Sequence, residues 1–193
     1  QSCQGLFEVG GDLPVVNSVD AVPEANVLLI GIAPTGGGLP EPMRMQVLAA
    51  IEKGMDIESG LHDFLADDEE FVKAAQKSGS VLRDIRRNNE RDVAQRQNIS
   101  PECLRVHTVG HDCSVGKMIT SIEITRGLEA DGVDAKFIAT GQTGILVEGD
   151  GCPVDAVVAD FISGSVEKQI LAHQHNQVLV VEGQGSITHP CYS

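Results

Sequence analysis

The chain has 193 residues, enough for one large α/β domain or two small ones. It is 41% hydrophobic yet has no Trp and one Tyr, so Val, Ile, Leu and Ala must fill the core, as suits parallel sheets covered by helices. A formal net charge of −14 argues against a nucleic-acid partner, and no apolar run approaches the ~20 residues that cross a bilayer.

Residues 27–33 form an apolar run bounded by turn signals, which predicts a buried strand. Gly36, Gly37 and Gly38 follow, either lining a second ligand pocket or simply turning the chain. A helix is expected over residues 41–53, with Gly54 as its stop. A short strand over 55–58, a helix over 69–77 and a strand over 81–85 come next. That helix is acidic at its start and basic at its end, as its dipole favours. Residues 86–102 are rich in Arg, Asn, Gln and Asp, and here the boundary between two α/β modules is expected. Residues 1–100 would form a Rossmann-like module and residues 101–193 a P-loop module.

In the second module a strand over 104–109 leads into a glycine-rich loop. A helix over 118–128 follows, with Ile119, Ile122 and Leu128 as its apolar stripe. A strand over 135–139, a long glycine-rich connection over 140–153, an apolar stretch over 154–161, a helix over 165–173 and a strand over 177–181 complete the pattern. This alternation predicts doubly wound sheets. Residue 1 is Gln rather than Met, and the strand near 178–181 lacks the helix that normally follows, so a fragment of a longer protein is expected. The five cysteines (Cys3, Cys103, Cys113, Cys152 and Cys191) show no metal or disulfide spacing, and a reducing cytoplasm is the expected setting.

Residues 110–118 read GHDCSVGKM between a strand and a helix, the context that a P-loop requires. Gly110 lets the chain leave the strand sharply. Backbone N–H groups of Cys113, Ser114, Val115, Gly116 and Lys117 can curl round a phosphate, while the Lys117 ammonium and the helix N-terminus add positive charge. A glycine-rich turn made only for tight packing is the alternative. Two departures stand out. Five residues separate Gly110 from Gly116 where four is usual, and Met118 replaces the Ser or Thr that ligates Mg²⁺. Either Asp112 or Glu182 holds a metal instead, or the loop grips a pyrophosphate without phosphoryl transfer.

Gln142 and Thr143 follow a strand, where ligands bind in open α/β sheets, although a simple turn is the alternative. Glu182 ends a buried strand, where an unpaired carboxylate is costly, so it is expected to be a metal ligand or a general base. His111 and His189 are the other candidate bases. Cys113, beside a helix N-terminus and Lys117, is either an acyl-carrying nucleophile or a small side chain that fits the loop. Of Asp150, Asp155 and Asp160, the last sits in an apolar stretch and is the most notable. His173 and His175 have no evident third ligand and are expected at the surface.

The loop GHDCSVGKM resembles the G-T-D-x-x-V-G-K-T loop of dethiobiotin synthetase and its relatives, where the longer spacing is normal. Residues 180–185, VVEGQG, resemble their V-E-G-A-G segment, whose glutamate lies beside the metal and phosphates. A closer likeness covers nearly the whole chain. The segments IGIAPTGGGLP (30–40), SGLHDFL (59–65), VGHDCSVGKM (109–118), ATGQTGILVEGDGCPVDAVVADF (139–161) and VVEGQGSITHP (180–190) resemble a family of two-module P-loop proteins long catalogued as having unknown function. Members of that family act as D-glutamate N-acetyltransferases. In it Met follows the lysine as a rule, so Met118 is typical, whereas His111 departs from the usual Thr. The family extends beyond both ends of this chain.

The resemblance implies an N-acetyltransferase with acetyl-CoA as donor and D-glutamate or a similar amino acid as acceptor. An ATP- and Mg²⁺-dependent ligase that activates a carboxylate is the alternative, and a nucleotide-sensing regulator is a third reading. The partners expected are a small-molecule amino acid or carboxylate substrate and further copies of the chain, with no nucleic acid and no membrane.

Overall fold

Val27–Ile30 (β1), Asp56–Ser59 (β2) and Leu82–Asp84 (β3) pair in parallel in that order, with Ile30 opposite Ser59 and Ile57 opposite Leu82. They belong to the first of two units in a computed structural model that describes residues 11–32 and 38–189. The units divide between Asp84 and Ile85. The predicted strand over 27–33 ends earlier, at Ile30, and Gly36 and Gly37 lie outside the described residues.

Parallel pairing requires crossovers, and two helices supply them. Glu41–Glu52 (α1) carries Pro42 in its first turn, where the missing N–H leaves no bond unmade. Glu69–Ser78 (α2) is capped by Asp68, whose carboxylate accepts the N–H groups of Glu70 and Phe71. Arg44 reaches across from α1, donating to Asp68 at 2.6 Å and lying 4.2 Å over the Phe71 ring. Beneath them Val47, Ile51, Ile57, Leu61, Leu65 and Phe71 form one apolar cluster.

The second unit contains Leu104–His107 (β4), Lys117–Ala130 (α3), Ala135–Ile138 (β5), Gln142–Glu148 (α4), Ala159–His173 (α5) and Val178–Val181 (β6). All three strands are parallel, in the order β4-β6-β5, so the last strand lies in the middle and is buried along its length. This is the predicted α/β architecture, with three departures. The connection over 140–153 contains the short helix α4. Helix α5 begins at Ala159 rather than at 165. The apolar stripe of α3 is buried only in part: Leu128 packs against the core, Ile119 is 56% exposed, and Ser121 and Thr125 are the helix's buried residues.

The polar stretch that composition marks as a boundary belongs to the second unit and lies along α5. It contains no helix or strand. Both oxygens of Glu167 accept backbone N–H groups from it, Gln95 and Arg96, each at 2.6 Å. A Cβ on Gly164 would lie 1.9 Å from the Asp92 carbonyl oxygen, so only glycine admits the crossing. Glu90 pairs with Lys168 at 3.0 Å, and buried Arg86 pairs with Asp155 at 2.8 Å. Among the described residues no helix is long and apolar enough to cross a membrane.

Candidate active site at the P-loop

The carboxyl ends of the three strands of the second unit bring three loops together, as expected where ligands bind in open α/β sheets. Residues 108–116 leave β4, residues 139–141 leave β5, and residues 182–185 leave β6. Between them is a cavity of about 370 Å³. That falls within the usual range for small-ligand pockets, roughly 300–1,000 Å³.

The P-loop forms one wall. Gly116 has φ +97° and caps α3, and Ser114 takes φ +55°, a left-handed conformation that costs a non-glycine residue about 1–3 kcal/mol. Such turns direct backbone N–H groups into one concavity, and the N-terminus of α3 faces the same way. Lys117 anchors the loop as well as charging it. Its Nζ donates to the carbonyls of Asp112 and Gly185, both at 2.8 Å, joining the P-loop to the loop after β6. The Ile187 N–H donates to the Gly110 carbonyl at 3.0 Å, and the hydroxyls of Ser186 and Thr188 both donate to the His111 carbonyl.

Glu182 forms the back of the cavity and is 3% exposed. Its Oε2 accepts the N–H groups of Thr140 and Gly141 at 2.8 and 3.1 Å, and its Oε1 accepts Gln184 Nε2 at 2.9 Å. Burial pushes the carboxyl above its ordinary value, while the two N–H groups and the Gln184 amide oppose the rise. One lone-pair position on Oε1 is left for a ligand or a proton. Glu182 thus fastens the β5 loop to the β6 loop in addition to facing the cavity.

Among the residues singled out by sequence, Cys113, Ser114, Gly116, Lys117 and Met118 line the cavity on the P-loop side, with Gln142, Thr143 and Glu182 opposite. Gly110, Val115 and Asp112 shape the loop without lining it. The Asp112 carboxylate accepts the N–H of Cys113 at 2.7 Å. His111 is exposed, and neither it nor His189 lines the cavity. Among the described residues no group of three or more His, Cys, Asp and Glu side chains is placed to hold a metal. Asp160 is exposed at the start of α5, Asp155 pairs with Arg86, and Asp150 lies 3.2 Å from His173. The apolar stretch around Asp160 therefore marks the approach to a helix rather than a site.

Sequence reasoning passed over Thr108, Ser121 and Gly183. Thr108 Oγ1 lies 2.8 Å from Ser121 Oγ and accepts the Gly183 N–H at 3.0 Å. A Cβ on Gly183 would sit 1.9 Å from the Thr108 carbonyl oxygen. The available signal was Ser121 and Thr125, two hydroxyls four residues apart on one helix face.

The fold and site define a class: an α/β protein whose second unit is a P-loop unit with a cavity at its strand ends. Residues 2–88 match a domain of unknown function described as Rossmann-like, DUF1611_N, and residues 92–193 match its partner, the P-loop domain DUF1611_C. The chain belongs to the DUF1611 family. It is 39% identical over 173 residues to a D-glutamate N-acetyltransferase of Tritonibacter scottomollicae, covering 88% of this chain and 50% of that protein. It is 40% identical over 169 residues to a D-glutamate N-acetyltransferase of a Pseudoalteromonas species, covering 88% and 51%. The chain therefore spans about half the length of these relatives. The crystal structure of a DUF1611 family protein from Anabaena variabilis superposes with a TM-score of 0.93 at 38% identity, covering 100% of this chain and 57% of that one.

Proposed function

We propose that the cavity receives the pyrophosphate end of acetyl-CoA and that the protein acts as an N-acetyltransferase on D-glutamate or a similar amino acid. The observation that carries this reading is a P-loop whose ammonium is held in place while the neighbouring metal-binding hydroxyl is replaced by Met118. Ser121 does not substitute for it, because its hydroxyl is engaged with Thr108 and the Lys117 carbonyl. Glu182 has both positions on Oε2 filled by N–H groups. These donors suit a pyrophosphate gripped by amides and one ammonium better than they suit a magnesium ion. The two relatives named for this activity add support.

In this reading the acceptor amine attacks the acetyl carbonyl, the C–S bond breaks, and the CoA thiolate takes up a proton. The acceptor ammonium must first lose one. Glu182 lines the cavity assigned to the pyrophosphate, and the pantetheine arm carries the thioester away from it, so Glu182 bears on donor binding and the base lies outside this cavity.

Calorimetric titration with acetyl-CoA, and separately with ATP plus magnesium, tests the assignment on wild type and Lys117→Ala. Acetyl-CoA binding that the variant loses, with CoA release dependent on D-glutamate, is the expected result. Binding of Mg-ATP alone, with ADP release on adding a carboxylate, would overturn it in favour of a ligase.

A further inference from the structure

A directed chain of hydrogen bonds runs beneath the P-loop. The Gly183 N–H donates to Thr108 Oγ1 at 3.0 Å, the Thr108 and Ser121 hydroxyls lie 2.8 Å apart, and Ser121 Oγ donates to the Lys117 carbonyl at 3.0 Å. Each hydroxyl has one hydrogen. With Ser121 donating to Lys117, Thr108 donates to Ser121, and its lone pair takes the Gly183 N–H. The 3.4 Å separation between Thr108 Oγ1 and the Lys117 carbonyl is the weaker alternative. Both side chains are buried, Thr108 at 9% and Ser121 at 0% exposure.

Packing alone does not call for these hydroxyls. Valine has the shape of threonine and would fill the same space beside β4. The Thr108 hydroxyl gives the buried Gly183 N–H an acceptor, and a buried donor without one is costly. It also joins two peptides that bear on the cavity. One is the Lys117 peptide at the start of α3. The other links Glu182 to Gly183, and two residues further on the Gly185 carbonyl receives the Lys117 ammonium. Lys117 is thus tied to the β6 loop at both its backbone and its side chain.

We propose that Thr108 is a positioning residue of the phosphate site, holding residues 183–185 where Gly185 can fix the Lys117 ammonium and Glu182 faces the cavity. This deepens the acetyltransferase reading and rests on it only for the identity of the ligand.

The test compares Thr108→Val with Thr108→Ser. Three quantities are measured: amide hydrogen exchange over residues 182–189 without ligand, the Kd for inorganic pyrophosphate, and KM and kcat for CoA release from acetyl-CoA. Thr108→Val leaves the Gly183 N–H without an acceptor. Exchange at residues 183–185 should quicken about tenfold and pyrophosphate binding should weaken by a similar factor. The KM for acetyl-CoA should rise with it while kcat changes less, and Thr108→Ser should restore all three. Wild-type exchange and affinity in Thr108→Val would overturn the proposal. So would equal loss in Thr108→Ser, which would indicate packing rather than hydrogen bonding. Should Thr108→Val fail to fold, Thr108→Ala replaces it. That variant removes the same acceptor from the Gly183 N–H with a smaller side chain, so the same losses are expected, and no loss overturns the proposal. If the protein proves to bind Mg-ATP and not acetyl-CoA, the transferase reading fails while the exchange measurement still decides the role of Thr108.

Discussion

In the first unit Val47, Ile51, Ile57, Leu61 and Phe71 meet in a single apolar cluster, and Ser59 is the one buried polar residue among those described. In the second unit the apolar residues form two small groups on opposite faces of β6. Ile138, Leu179 and Val181 belong to one, Val178 and Val180 to the other. Its buried residues also include Thr108, Ser121, Thr125, Glu167 and Glu182. The contrast separates two ways of holding a sheet and its helices. Apolar burial is non-directional and fixes a shape. Buried hydroxyls and carboxylates fix individual peptides, at the risk of a large penalty if any partner is lost. The unit that carries the candidate site uses the second way.

The sharpest way to break the comparison is to empty each interior in turn. Phe71→Ala removes a 1%-exposed ring from the apolar cluster. It should lower stability by about 3–5 kcal/mol in a denaturant titration. Loss of exchange protection should centre on β1–β3, α1 and α2. Equal loss in β4–β6 would mean that the two interiors are not independent. In the second unit Glu167→Gln keeps the size of the side chain but offers an NH₂ group to a backbone N–H. A cost of about 1.5–3 kcal/mol is expected, the range for hydrogen bonds to a charged group. The effect should be local, with trypsin cutting after Arg91 and Arg96 faster than in wild type and the circular dichroism unchanged. Unaltered cleavage would mean that the strap is held by something other than the carboxylate.

The smallest effect belongs to a half-buried ion pair of the first unit. The Arg44 guanidinium, helped by the N–H groups of Phe71 and Glu70, holds the Asp68 carboxyl below its ordinary 3.8. A depressed carboxylate stabilises the fold above 3.8 and loses that contribution as pH falls through the lower, folded value. Thermal melts of wild type should therefore fall below about pH 4 more steeply than those of Asp68→Asn. Parallel curves would remove the pair from the account.

The strands were largely legible because apolar runs bounded by turn residues report burial directly, and the P-loop because its parts are neighbours in sequence. Where the reading failed, the cause lay elsewhere in the chain. Helix α4 is short, begins Gln142-Thr143-Gly144, and starts beside two N–H groups held by Glu182. The first turns of α5 carry Gly164, a poor helix former that the Asp92 carbonyl requires. The stripe of Ile119, Ile122 and Leu128 predicts the inward face of α3 only in part, because hydroxyls with buried partners turn inward as well. Ser121 turns inward for a partner thirteen positions earlier, as the Thr108–Ser121 separation of 13 shows, and Gly183 meets Thr108 across a separation of 75. No local pattern records such pairings. Gln142 and Thr143 line the cavity at a strand end, Lys117 lines it within the P-loop, and His111 and His189 lie outside the lining, which no local pattern records.

The two carbonyls that receive Lys117 Nζ also bear on the thermodynamics of ligand arrival. A free lysine side chain gives up rotamer freedom when it closes on an anion, at up to about 1.5–2 kcal/mol. Here Asp112 and Gly185 already restrict that freedom. The ammonium has three hydrogens, and two are committed, so one remains for the ligand. Entropy that a mobile lysine would lose on binding is lost on folding instead, so any anion the cavity receives would meet a charge already ordered.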